Sequence, residues 1–230
     1  MKLAIVIPAY NEQATIKHVL NDIQRVFKAI PHDVIVVDDG SKDATADIAA
    51  ENHALVISHI LNSGSGAATT TGLTYALAKN YDYAATIDAD GQHSAKDLLN
   101  TYQYLKDNSY DLVIGSRLID SSGMSTIKKV GNKGLSYFTF LLFGINVTDS
   151  QSGMRVFSRN ALEKIQLKST GYEFCSEMLW RARQQRLAIS EHPIQAIYTD
   201  YSKSKGQNNW NAFIIIRSLI GRRFIELLYE

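Results

Sequence analysis

Short aliphatic and β-branched runs recur through the first half of the chain, at Leu3–Ile7, Val34–Val37, Leu55–Ser58, Ala84–Ile87 and Leu112–Ile114. Each is separated from the next by a stretch of helical length and period. Continuous apolar runs without alternation mark strands buried on both faces, so the pattern predicts an α/β domain with a mostly parallel sheet flanked by helices. The first helix carries its core stripe at Ile16, Val19, Leu20, Ile23 and Phe27, with Asn11 as the expected N-cap. Polar clusters close three of the strands: Pro8-Ala9-Tyr10-Asn11-Glu12, Asp38-Asp39-Gly40-Ser41 and Asp88-Ala89-Asp90. Ligands of open α/β sheets sit at the carboxyl ends of strands, so these ends predict one cleft. Past residue 120 the pattern changes, and Gly, Ser, Lys and aromatic residues dominate from Ser121 to Gly144.

Composition narrows the picture. A chain of 230 residues, 45% hydrophobic with three prolines, has material for one sizeable core and reads as a single domain. Its 24 Lys and Arg nearly cancel 23 Asp and Glu; a net charge of +1 argues against nucleic acid as a partner. The single cysteine, Cys175, fits a reducing cytoplasm and reads as a packed apolar residue. No segment approaches the roughly 20 apolar residues that cross a bilayer, and the apolar run at Leu3–Ile7 is too short for a secretion signal.

Candidate chemistry concentrates at Asp88-Ala89-Asp90-Gly91-Gln92-His93. Alternate residues of an extended backbone share a side, so the two carboxylates can face one ligand. Such hard oxygen donors suit Mg2+ or Mn2+, which commonly bind one or two carboxylates together with substrate phosphate oxygens. Gln92 offers a neutral oxygen, and Ser94 is a sufficient cap for the following helix, which leaves the aspartates free for another purpose. His93 reads as a neighbour of the site rather than a ligand. Gly64-Ser65-Gly66 follows the third strand and lacks a third glycine, so it reads as a tight helix entry rather than a dinucleotide fingerprint. No phosphate-binding Gly-x-x-x-x-Gly-Lys-Ser/Thr run occurs.

In this order and spacing, VIPAYNE (6–12), VVDDGS (36–41), DADGQH (88–93), GSR (115–117) and SGMRVFSR (152–159) resemble a family 2 glycosyltransferase of the A-type fold. The similarity is greatest to the polyprenyl-phosphate sugar synthases, the dolichol-phosphate mannose synthase group, and spans about residues 2 to 205. The resemblance implies inverting transfer of a sugar from a nucleotide sugar to a polyprenyl phosphate, with a divalent metal holding the diphosphate. It divides the domain into a nucleotide-sugar half (1–120), an acceptor half (121–210) and a C-terminal amphipathic helix (211–230).

Carried over by position, Pro8, Ala9, Tyr10 and Glu12 line the nucleotide pocket and Asp39 meets the base or ribose. Asp88, Asp90 and Gln92 match the metal positions, with Asp90 the principal ligand. Arg117 matches an arginine beside the two phosphates, where it serves both catalysis and the acceptor phosphate. The family's next phosphate-binding arginine is replaced here by Lys128-Lys129, which keeps the charge but loses the bidentate fork; Lys129 and Lys133 are the expected substitutes. Tyr198 to Gln207 resembles the loop that closes over the donor, with Lys203 or Lys205 reaching its phosphates. Glu177, one helical turn from Glu173, is the candidate for an acceptor-side catalytic role, with a structural carboxylate as the alternative.

A lipid phosphate is already anionic near neutral pH and needs no strong base, whereas a sugar hydroxyl does. Transfer to a polyprenyl phosphate is therefore the leading reading, with a UDP-sugar favoured over GDP-mannose in cell-envelope glycan assembly. Transfer to a polysaccharide hydroxyl and an inactive scaffold are the alternatives. Two apolar helical stretches, Ser125 to Val147 and one from about Asn211 with Phe213, Ile216, Ile220, Phe224 and Leu227, predict docking on the inner face of the membrane. The second stretch also suits a small membrane-protein partner or a second copy of the chain.

Overall fold

The computed structural model describes residues 1–120 and 126–197. The chain runs β1 (Leu3–Ala9), α1 (Ile16–Val26), β2 (His32–Asp38), α2 (Thr45–Glu51), β3 (Leu55–Ser58), α3 (Ser65–Ala78), β4 (Tyr83–Thr86), α4 (Ala95–Asp107) and β5 (Leu112–Ser116). It continues through α5 (Thr126–Phe143), β6 (Arg155–Ser158), α6 (Arg159–Lys164), α7 (Phe174–Gln184) and β7 (Ile189–Pro193). The strands form one seven-stranded sheet in the order β3-β2-β1-β4-β6-β5-β7.

The five strands anticipated from the apolar runs are all present, and β1, β2, β3 and β4 pair in parallel. Alternation along β1 sends Leu3, Ile5 and Ile7 into one core layer with Ile16, Leu20 and Ile23 of α1 and Leu98 of α4. It sends Ala4 and Val6 into the opposite layer with Ala68 and Leu73 of α3 and Met178 of α7. Leu3, Ile5 and Ile7 are wholly buried, and each such side chain contributes about 1.5–3 kcal/mol.

Two strands were not anticipated. β6 runs antiparallel to both β4 and β5, filling the slot between them, and β7 extends the sheet in parallel beyond β5. Because β6 enters from the opposite direction, its first residues lie beside the carboxyl ends of β4 and β5. That reversal brings the segment before Arg155 into the cleft.

The start of α1 differs from expectation. Its N-cap is Thr15, and Asn11 adopts a left-handed φ of 53°. The Asn11 side-chain oxygen accepts a 2.8 Å hydrogen bond from the Lys42 backbone N–H, so this residue joins two loops and the helix begins four residues later than an Asn11 cap implies. Ser94 does cap α4, accepting from Asp97 N–H at 3.0 Å. The expected donor-closing loop (198–207, with Lys203 and Lys205) and the helix from Asn211 lie outside the described residues.

Candidate active site

The cleft lies along the carboxyl ends of β1, β2, β4 and β5. Its first wall is stitched from two loops: Asn11 N–H donates to Ser41 Oγ at 2.9 Å, and Glu12 N–H to Thr45 Oγ1 at 2.8 Å. Pro8 and Glu12 are half-buried there, Ala9 is buried, and Tyr10 stands exposed on the rim. Asp39, expected against a base or ribose, also holds the neighbouring loop: its carboxylate accepts from Ser63 N–H at 2.9 Å and Gly64 N–H at 2.8 Å, and pairs with His59 Nδ1 at 2.7 Å. Three partners thus make Asp39 the anchor of the β3–α3 loop. His59 Nε2 in turn lies 3.0 Å from Thr71 Oγ1 on α3. At that helix entry a Cβ on Gly66 would stand 2.7 Å from the Ser169 carbonyl oxygen, so the glycines serve close packing against the segment before α7.

Asp88 and Asp90 follow β4 as the pattern implied. Asp88 lies directly against Gly153, where any Cβ would come within 2.3–2.6 Å of its carboxyl group. Thr86 Oγ1 donates to the Gly153 carbonyl at 2.7 Å and fixes that approach. Asp90 accepts from Gln92 N–H at 2.9 Å and from Gln92 Nε2 at 2.6 Å, across a turn that Gly91 makes at a left-handed φ of 75°. Burial raises the Asp88 carboxyl above its ordinary range, Arg117 and Arg155 oppose this, and Glu12 adds to it. Burial also raises Asp90, assisted by the charge of Asp88.

His93 sits beneath this pair, with Nε2 3.7 Å from Asp88 Oδ2 and a buried Nδ1 that has no hydrogen-bond partner among the described residues. Burial, then the nearby Arg117, lower its pKa to about 4, so the ring is neutral at physiological pH.

The donor set fits a divalent cation. Two crowded carboxylates raise the cost of each other's ionised form, and a bound cation would relieve that repulsion. Among the described residues no three His, Cys, Asp or Glu side chains come close enough to enclose an ion. Mg2+ commonly binds one or two carboxylates and completes its shell with water and substrate phosphate, which such a pair would allow.

Two arginines act on Asp88 from nearby, Arg117 and Arg155. Arg117, one residue beyond β5, makes a bidentate pair with Asp149, Nε to Oδ2 at 2.7 Å and Nη2 to Oδ1 at 2.9 Å, while its own backbone N–H reaches Oδ2 at 3.1 Å. Asp149 is fully buried, and although burial pushes its carboxyl up, Arg117 prevails and holds it below the usual range. Arg155 is buried as well. It donates to the carbonyls of Ser152, Cys175 and Ser150 at 2.8–3.0 Å and so locks the loop before β6 onto α7. Tyr172 belongs to the same neighbourhood: its hydroxyl pKa is raised by burial and then by Asp88 and Asp90.

Other expectations resolve differently. Glu177 is 2% exposed, and its carboxylate accepts from the backbone N–H groups of Lys168 and Ser169, the latter at 2.7 Å. It thereby holds the segment before α7. Lys129 is half-buried and Lys133 exposed on α5, and no hydrogen bond or ion pair among the described residues joins either to the carboxylates or to Arg117. Asp149, Gly153 and Arg155 carry the site without having been singled out. Gly153 and Arg155 belong to the SGMRVFSR segment, whose backbone direction could not be read from its composition, and Asp149 lies just before it. A groove of about 450 Å³ lies away from the carboxylates, at the amino edge of the sheet, but its Lys2, Asp33 and Tyr81 are already paired, with Lys2 Nζ and Tyr81 Oη 2.9 and 2.7 Å from Asp33.

A mostly parallel sheet with paired carboxylates at a strand end and arginines nearby is the arrangement expected of an enzyme that handles a nucleoside diphosphate. Residues 4–166 match the family described as glycosyl transferase family 2, and the chain belongs to that family. The UDP-N-acetylglucosamine–dolichyl-phosphate N-acetylglucosaminyltransferase of Methanococcus voltae is 42% identical, over 94% of this chain and 94% of its own. The undecaprenyl-phosphate mannosyltransferase of Micrococcus luteus is 32% identical, over 89% and 87%. Glucosyl-3-phosphoglycerate synthase from Mycobacterium tuberculosis, solved with Mn2+, uridine diphosphate and glucosyl-3-phosphoglycerate, superposes with a TM-score of 0.71 at 22% identity, covering 95% of this chain and 77% of that one. The fold is therefore the A-type glycosyltransferase fold, and the protein is a glycosyltransferase.

Proposed function

We propose that the protein transfers a sugar, with inversion, from a UDP-sugar to a polyprenyl phosphate. The carrying observation is the cluster at the strand ends: Asp88, set against Gly153, and Asp90 beside it, with Arg117, held by Asp149, within electrostatic reach of Asp88. Asp88, Asp90 and Gln92 would hold Mg2+ or Mn2+, Asp90 foremost. When bound, the cation neutralises charge on the departing nucleoside diphosphate. Arg117 offsets repulsion between the donor diphosphate and an incoming phosphate; Lys129, Lys133 and Lys205 are further candidates for that work. Pro8, Ala9, Tyr10 and Glu12 line the nucleotide pocket, with Asp39 shaping it through the β3–α3 loop. Relatives whose names specify dolichyl and undecaprenyl phosphate support the acceptor class, and the 42% identical relative that takes UDP-N-acetylglucosamine supports a UDP donor.

Transfer to a sugar hydroxyl is the second reading. It needs a base, and the carboxylate expected to supply one, Glu177, is buried and occupied by backbone N–H groups, which favours an acceptor that is already an anion. The intact carboxylates argue against an inactive scaffold.

The proposed site works at a membrane surface, on the cytoplasmic side. No helix among the described residues is long and apolar enough to cross a bilayer. On α5, however, Val130, Tyr137, Phe140 and Leu141 are 43–66% exposed along one face that also carries Lys133, and the exposed Arg183 and Arg186 adjoin Gly144 at the helix end. Apolar side chains beside cations suit an anionic lipid interface.

Donor class is tested by thermal shift with UDP and GDP, each with Mn2+ or with excess chelator. UDP with Mn2+ should raise the melting temperature and chelator should abolish the rise. A larger shift with GDP would overturn the donor assignment.

A further inference from the structure

We propose that Glu191, on the edge strand β7, is a positioning residue that aims Arg117 by ordering the turn at Thr148 and Asp149. The inference rests on the reading of Arg117 as the phosphate-facing cation.

The connection is continuous. β7 pairs in parallel with β5, with Glu191 opposite Ile114, so its side chain lies near the end of the strand that delivers Arg117. Glu191 Oε2 accepts from Thr148 N–H at 2.8 Å, while Oε1 accepts from Thr148 Oγ1 at 2.9 Å and Asp149 N–H at 3.1 Å. Thr148 Oγ1 is also 2.6 Å from Ser116 Oγ, which accepts from Leu118 N–H at 3.3 Å, so the turn clasps the chain on both sides of Arg117. Asp149 then takes the guanidinium through two parallel bonds at 2.7 and 2.9 Å.

The chemistry explains why a carboxylate stands at position 191. An ordinary turn closes through neutral bonds, whereas here a charged acceptor gathers three donors from two consecutive residues. A bidentate pair transmits orientation as well as charge, because the guanidinium plane follows the carboxylate plane. Tilting Asp149 therefore tilts Arg117. Glu191 is half-buried on an edge strand and contributes little to the core, so its removal should alter aim more than folding.

The test is a double-mutant cycle on the full chain, read as transfer from the most active UDP-sugar to undecaprenyl phosphate with Mn2+. Glu191→Ala should lower kcat by about tenfold or more, the scale at which small misplacements of a charged group act. The donor KM should change little, and Glu191→Gln, which keeps one acceptor oxygen, should fall between. In an Arg117→Ala background, Glu191→Ala should add almost no further loss, because its effect passes through the missing guanidinium. An equal fold-loss in both backgrounds would overturn the inference, as would unchanged kcat in Glu191→Ala beside a crippled Arg117→Ala. If Glu191→Ala does not fold, Glu191→Gln carries the same comparison. Wild-type kcat in Arg117→Ala itself would instead overturn the reading of the site, and the inference with it.

Discussion

Asp88 owes its position to the residue that faces it. A glycine at 153 is the one choice that leaves room for the carboxyl group, since any Cβ there would lie 2.3–2.6 Å from its atoms. Gly153 has no left-handed backbone, so alanine is tolerated by the chain and strain falls on Asp88 alone. Gly153→Ala should therefore fold normally, yet displace the carboxylate by several tenths of an ångström and lower turnover by about 10²-fold. Steady-state kinetics beside a thermal melt checks this, and unchanged turnover would mean that Asp88 acts from another position. His93, neutral below the pair, contributes shape rather than charge. Asp39 and Glu177 likewise hold backbone N–H groups; the task of Asp39 escaped sequence reading because its partners lie 24 or more residues away, whereas a structural role was one of the two open for Glu177.

Among the elements, α3 illustrates packing that overrides local preference. Gly72 sits mid-helix, where alanine is ordinarily favoured by about 1 kcal/mol. A Cβ there would stand 2.2 Å from Val6 Cγ1 on β1, so the helix rests on the sheet only because the side chain is missing. Gly72→Ala should destabilise by about 1–3 kcal/mol in urea unfolding, the range for overpacked cores. The loss should shrink on a Val6→Ala background, and a stabilised Gly72→Ala would contradict this packing. β1, β2, β4 and β5 were legible because strands buried on both faces write themselves as apolar runs, and β3 because Leu55–Ser58 is apolar although it is exposed or half-buried at the sheet edge. β6 and β7 were not: Arg155 and Ser158 in one and Ser190, Glu191 and His192 in the other break the apolar run, and β6 is a strand by virtue of the slot between β4 and β5. The carboxylates could be placed from β4 alone. The Arg117–Asp149 pair could not, because Asp149 reaches Arg117 from 32 residues along the chain through that antiparallel return.

For the whole molecule, the question is how a cleft at the rim of a sheet meets a lipid-borne phosphate. In the proposed reading the exposed face of α5 supplies the apolar contact, so Tyr137→Asp with Leu141→Asp should weaken binding to anionic vesicles by at least about tenfold. Flotation measures it; unaltered binding would assign the contact elsewhere. The central claim, metal-dependent transfer to a polyprenyl phosphate, is tested most directly by supplying radiolabelled UDP-N-acetylglucosamine with undecaprenyl phosphate and Mn2+, and following label into the organic-extractable fraction. Label should enter lipid, be released by mild acid, vanish with excess chelator, and fall by orders of magnitude in Asp90→Asn, whose fold should survive because a strand-end carboxylate carries little packing. Label that stays out of lipid with every nucleotide sugar tried, or transfer that continues undiminished in Asp90→Asn or in chelator, would contradict the account.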